Sequence, residues 1–169
     1  MESKDSNMGK EGLRVKLTKG QKLLFIGDSI TDTGRARPIG EKAHGGLGNG
    51  YVSLVDALLS AVYPELGIRV VNTGISGDRV RDLAERWQSD VLDVQPDWLS
   101  IMIGINDVWR QFDQPTRPEL HVHEQEYTET YQRLLEQTRP QLKGLVLMTP
   151  FYLDLNKQDP MRITMDEYG

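Results

Sequence analysis

Residues 22–32, KLLFIGDSITD, run an apolar segment into a glycine and then present a serine flanked by acids. Four consecutive apolar residues, Leu23 to Ile26, predict a short strand covered on both faces, since a one-sided strand would alternate apolar with polar. Such strands belong to parallel sheets held between helices. The polar residues that follow then stand at the carboxyl edge of the sheet, where open α/β folds keep their sites.

The same pattern recurs along the chain. IRVVNTG (68–74), WLSIMIG (98–104) and GLVLMTPF (144–151) read as three further strands. Between them, YVSLVDALLSAV places Tyr51, Leu54, Val55, Leu58, Leu59 and Val62 at helical spacing. RVRDLAERWQSDVLDV sets Val80, Leu83, Ala84, Trp87 and Val91 on one helical face. A polar segment with Pro115 and Pro118 leads into a helix from Glu124 to Thr138, with Tyr127, Tyr131, Leu134 and Leu135 inward. Asp159-Pro160 is a helix start, an N-cap acid with proline in the first turn, before a stripe of Met161, Met165 and Tyr168. Strands alternating with amphipathic helices predict βαβ units with right-handed crossovers and a three-layer α/β/α fold. Residues 1–19 read as a lead-in and 20–169 as one domain.

Composition narrows the function classes. The 169 residues contain no cysteine, which removes disulfides, thiolate catalysis and cysteine-ligated zinc, and fits a reducing compartment. The opening MESKDSNMGKEG is charged and has no apolar segment of the length a secretory signal needs. No run approaches the ~20 apolar residues of a membrane span. A net charge of −5 argues against nucleic-acid and anionic-membrane partners, which want a basic surface. These features predict a cytoplasmic protein with neither a nucleic acid nor a membrane as partner.

Three glycine-punctuated segments each follow a strand: GDSITD, NTGISGD and GINDVW. A parallel sheet delivers all three to one edge. Ser29 offers a hydroxyl at a helix start, where its own N–H is free. Gly77 brings a backbone N–H near a ligand, having no side chain in the way. Asn106 offers an amide NH2. One hydroxyl beside three neutral donors suits acyl transfer: a nucleophile and a cradle for the tetrahedral oxyanion. Taken singly, each segment has a plainer reading, a helix cap at Asp28 to Asp32 and ordinary turns at the other two. Their order, each after its own strand, favours function.

These blocks resemble the first three conserved blocks of the SGNH, or GDSL, hydrolase superfamily. The resemblance implies the flavodoxin-like fold of that superfamily, with Ser29 as nucleophile and the Ser29 N–H, Gly77 N–H and Asn106 side chain as oxyanion donors. LLFIGDSITDTGRARP, YPELGIRVVNTGISGD, PDWLSIMIGINDVWRQ and LMTPFY are similar to bacterial acetylxylan esterases of the superfamily. That likeness runs from Lys22 to the end. It implies removal of acetyl groups from xylo-oligosaccharides inside the cell by a homo-oligomer, without metal or cofactor. Trp109 and Tyr152, after the third and fourth strands, are candidates for stacking on the sugar, with rim or core packing as the competing reading.

The superfamily's base is a histidine in an Asp-x-x-His block, and none of the three histidines fits. Pro118 and Leu120 precede His121 and His123 by three, and only His44 has an acid there, Glu41, in the early loop. HGG at 44–46 resembles the oxyanion loop of α/β-hydrolase esterases but follows the serine instead of preceding a G-x-S-x-G. His121, His123 and Glu124 lack further ligands at metal spacing and read as a solvated loop. The expectation is a shortened domain, lacking the last strand, the Asp-x-x-His loop and a closing helix, with exposed apolar surface that invites self-association. A non-catalytic module that binds acetyl groups or sugar on the same fold is the alternative.

Overall fold

The structure, a computed structural model, describes residues 15–41 and 45–169. Most of the expected lead-in and His44 lie outside the described residues. The first strand, β1, is Lys22–Gly27. Its alternate residues face opposite sides: Leu24 and Ile26 enter one core, Leu23 and Phe25 the other. Two-sided burial is the reason the run is continuously apolar. Gly27 ends it because a Cβ there would overlap the carbonyl oxygen of Met102 and come within 2.6 Å of Thr31 Oγ1.

Asp28 caps the single-turn helix α1, Ser29–Asp32, accepting from the Ile30 N–H at 3.0 Å. A two-residue strand β2, Gly40–Glu41, follows, then helix α2, Tyr51–Val62, and strand β3, Arg69–Asn72. Helix α3, Val80–Trp87, continues as a π turn over Gln88–Leu92. Strand β4, Trp98–Met102, leads into helix α4, Ile105–Asp113. Helix α5, Glu124–Thr138, strand β5, Gly144–Met148, and helix α6, Pro160–Glu167, complete the fold.

The sheet order is β2-β3-β1-β4-β5. β1 lies parallel to β3 and β4, and β4 parallel to β5, with Leu24 opposite Val71 and Leu99. Only β2 runs antiparallel, pairing Gly40 with Asn72. The chain leaves β1 for β3 on one side and returns to β4 on the other, so strand order reverses between β1 and β4. Ligands of open α/β sheets bind at that point.

The larger core lies between the sheet and α3, α5 and α6, where Val80, Leu83, Trp87, Leu134 and Met165 are buried. Trp87 Nε1 donates to Thr138 Oγ1 at 2.7 Å, joining α3 to α5. The smaller core, on the opposite face, gathers Leu17, Leu47 and Val52 under α2.

Three expectations change. The buried face of α2 is Val52 and Asp56, with Tyr51, Val55 and Leu59 at its margin; Leu54, Leu58 and Val62, expected inside, are exposed. The segment after β4, expected to be irregular, begins with α4. The sheet also gains β2, too short to leave a pattern in the sequence. On β5, Val146 and Leu147 remain exposed, as do Phe151, Leu153 and Leu155 beyond it.

Candidate functional site

The loops after β1, β3 and β4 are hydrogen-bonded to one another. Ile75 N–H donates to Gly27 O at 2.9 Å, carrying the second loop past the end of β1. Ser76 N–H donates to Asp32 Oδ2 at 2.9 Å, fixing that loop to α1. From the other side, Asn106 Nδ2 donates to Asp78 O at 2.9 Å, and Val80 N–H donates to Asp107 Oδ1 at 2.9 Å. Ser29, Gly77 and Asn106 therefore belong to one connected rim, with Ser29 and Asn106 at the ends of the two strands that flank the order reversal.

Each group is prepared differently. Ser29 is exposed at the first position of α1, and its N–H makes no hydrogen bond among the described residues. Gly77 is exposed with φ +90°, a conformation open to glycine, and a Cβ there would meet open space. The requirement at Gly77 is thus backbone conformation, and its N–H makes no hydrogen bond among the described residues. Asn106 is only 3% exposed, and Asp78 O takes one of its two amide hydrogens, which orients the other.

Arg86 supports the rim from beneath. It donates to Asp78 Oδ2 at 2.7 Å, Thr73 O at 2.6 Å and Gly27 O at 3.3 Å, so one guanidinium joins the ends of β1 and β3. Arg35, which is buried, donates to Gly74 O at 2.6 Å, and Asn72 Nδ2 donates to Thr31 O at 2.6 Å. Sequence reading missed these residues, since most of their partners are backbone carbonyls, which any residue type supplies, 13 to 59 positions away. The only local trace is an arginine on the otherwise polar side of the α3 pattern.

The acids behind the rim are unevenly tuned. Burial pushes the Asp28 carboxyl up to about 6, against the Ile30 N–H and with help from nearby Asp78. Burial likewise pushes Asp107 up to about 7, despite the Val80 N–H, and its Oδ2 has no hydrogen-bond partner among the described residues. Asp78 is raised by burial, with Arg86 opposing. Burial would raise Asp32 too, but Arg37, at 2.6 Å, and the Ser76 N–H hold it below the usual carboxylate range.

Trp109 follows Asn106 by three, on the same side of α4, and is 44% exposed with the Arg110 guanidinium 5.0 Å over its ring. Tyr152 is half-buried; its ring packs on the larger core and its hydroxyl donates to Asp159 Oδ1 at 3.3 Å. No described histidine is hydrogen-bonded to Ser29: His121 Nε2 is engaged by Gln114 O at 2.9 Å, and His123 precedes α5 as its N-cap. Among the described residues no group of three His, Asp or Glu could hold a metal ion, and no helix is long and apolar enough to cross a membrane.

A sequence model of the GDSL-like lipase/acylhydrolase family matches residues 25–168. An acetylxylan esterase of Geobacillus stearothermophilus is 63% identical over 155 residues, 92% of this chain and 71% of that relative. The crystal structure of this bacterium's acetylxylan esterase Axe2 superposes with a TM-score of 0.90 at 63% identity, covering 91% of this chain and 70% of that one. Catalytic mutants of Axe2 replace a serine, an aspartate, or a histidine three residues after the aspartate. LAE5, an α/β hydrolase from the metagenome of Lake Arreo, Spain, superposes with a TM-score of 0.87 at 50% identity, covering 90% of this chain and 70% of its own.

Proposed function

Because this chain belongs to the GDSL-like lipase/acylhydrolase family, we propose that its rim binds the acetyl ester of a small saccharide, with Ser29 as nucleophile. Attack of Ser29 Oγ on the acetyl carbonyl carbon forms a C–O bond and moves the carbonyl electrons onto oxygen. The Ser29 N–H, the Gly77 N–H and the second Asn106 hydrogen receive that oxyanion, each a neutral donor set before the reaction and so needing no reorganisation. The proton of the Ser29 hydroxyl passes through solvent water to the sugar oxygen as collapse of the intermediate breaks the bond between that oxygen and the acetyl carbon; water then adds to the acetyl-Ser29 carbonyl and releases acetate, returning a proton to Ser29 Oγ. Trp109, exposed one helical turn after Asn106, meets the sugar in this reading. The observation that carries this reading is the pairing of Ser29 and Asn106 across the reversal in strand order, with Asn106 oriented by Asp78 O.

The 169 residues contain no Asp-x-x-His, the spacing of the aspartate and histidine altered in the Axe2 mutants. The residues of this chain supply nucleophile and oxyanion donors, and Ser29-dependent turnover is residual, on the order of 10³–10⁴ over water. The same absence favours a second reading, a module that binds acetylated saccharide without turning it over. Aryl-acetate hydrolysis by the chain and by its Ser29→Ala variant separates the two. A rate lost in the variant supports the esterase. Equal rates rule out catalysis through Ser29, and binding of an acetylated xylo-oligosaccharide retained in that case supports the module.

A further inference from the structure

Asp78 ends the turn that carries Gly77. Its N–H donates to Ile75 O at 3.3 Å, closing that turn with Gly77, at φ +90°, in the third position, where a type II turn needs a positive φ. Its own carbonyl oxygen accepts from Asn106 Nδ2 at 2.9 Å. One residue therefore stands between the two donors that do not belong to Ser29, joined to Gly77 by a peptide bond and to Asn106 by a hydrogen bond. Its side chain is the remaining handle, and Arg86 Nε holds it by Oδ2 at 2.7 Å.

We propose that Arg86 is a positioning residue of the reaction: through the Asp78 carboxylate it fixes the separation and aim of the Gly77 N–H and the Asn106 amide. The proposal rests on the reading of those groups as oxyanion donors. Three observations carry it. The guanidinium is itself anchored, because it also donates to Thr73 O at 2.6 Å, Asp90 Oδ2 at 2.6 Å and Gly27 O at 3.3 Å. Gly27 lies two residues before Ser29, so the same group reaches the strand end that carries the nucleophile.

The second observation is burial. The side chains of Arg86 and Asp78 are only 14% and 11% exposed. There an ion pair adds little net stability over apolar groups of like volume, and its geometry is what it contributes. The third is the shape of the donor. The acceptors lie around Nε and both Nη atoms, an arrangement that suits a planar fork and that a lysine ammonium does not reproduce.

Two substitutions test the link by NMR and by rate. Arg86→Lys touches neither donor directly, yet the Gly77 N–H and Asn106 side-chain amide signals should shift and broaden. The Trp87 indole N–H, bonded to Thr138 Oγ1, should stay in place and so report that α3 remains packed. Asp78→Ala should lower Ser29-dependent aryl-acetate turnover by about 10²-fold, in kcat with KM held, because the donors act on the oxyanion alone. Asp78→Asn, whose amide oxygen still accepts from Arg86 Nε, should recover most of that loss. Unmoved Gly77 and Asn106 signals in Arg86→Lys, or an unchanged kcat in Asp78→Ala, overturn the proposal. If Arg86→Lys loses the Trp87 signal as well, the Asn106 amide of Asp78→Ala decides, since that variant keeps the bonds of Arg86 to Thr73, Asp90 and Gly27. A parent chain with no Ser29-dependent rate overturns the esterase reading instead, and the amide signals still decide whether Arg86 holds the two groups.

Discussion

Asn106 has to be held and yet leave a hydrogen for the substrate. An amide with two hydrogens does both: one is fixed on Asp78 O at 2.9 Å, and the fixation aims the other. Aspartate would bring no hydrogen, and alanine would leave the Asp78 carbonyl without its donor. Asn106→Ala should therefore lower the Ser29-dependent rate by about 10²–10³, as loss of an oxyanion donor does elsewhere. The measurement is aryl-acetate hydrolysis with the Ser29→Ala rate subtracted, and an unchanged difference would remove Asn106 from the mechanism. Asn106 was legible in the sequence because it comes two residues after the glycine that closes an apolar strand. Its anchor was not, because Asp78 contributes a backbone carbonyl and any residue type supplies one.

Among the elements, legibility followed the number of faces that the core covers. β1, β3 and β4 are enclosed on both sides, and their short, mostly apolar runs, each closed by a glycine, read as buried strands. In α3 and α5 the apolar residues are few enough to define a single stripe, and the predicted faces are buried. Helix α2 failed for the opposite reason: nine of its twelve residues are apolar, so two stripes satisfy the helical period and periodicity cannot choose between them. Helix α4 was hidden because its first turn carries Asn106 and Asp107, which read as a turn, while Trp109 and Phe112 face solvent. Mutation distinguishes the two kinds of apolar position. Leu83→Ala, in α3 and fully buried, should cost about 2–5 kcal/mol in urea unfolding. Leu54→Ala, in α2, should stay within about 0.5 kcal/mol when measured on dilute monomer. Comparable losses at both would mean that α2 packs by the face Leu54 occupies.

Over the whole molecule, the acids that tie the rim together also tie its stability to pH. Asp28 and Asp107 are raised to about 6 and about 7 by burial, and both stand directly behind the three loops. A group raised above its unfolded value of 3.8 binds more protons in the folded state over the interval between the two values. Its contribution to stability is full below 3.8 and is lost as pH rises, levelling off above about 7 for Asp107. Asp32, Asp82 and Asp97 are lowered and act oppositely: their contribution is present above 3.8 and is lost as pH falls. Stability should therefore decline from about pH 4.5 to about pH 7.5, with the steepest part below about 6, where both groups hold a proton only in the folded state. Asp107→Asn isolates one share of that decline, since the amide oxygen still accepts from Val80 N–H and nothing at the position titrates. Urea midpoints of the variant should fall less over this range than those of the parent chain. Parallel curves for the two proteins would show that Asp107 does not titrate between those limits, and that the proton taken up on folding is held elsewhere.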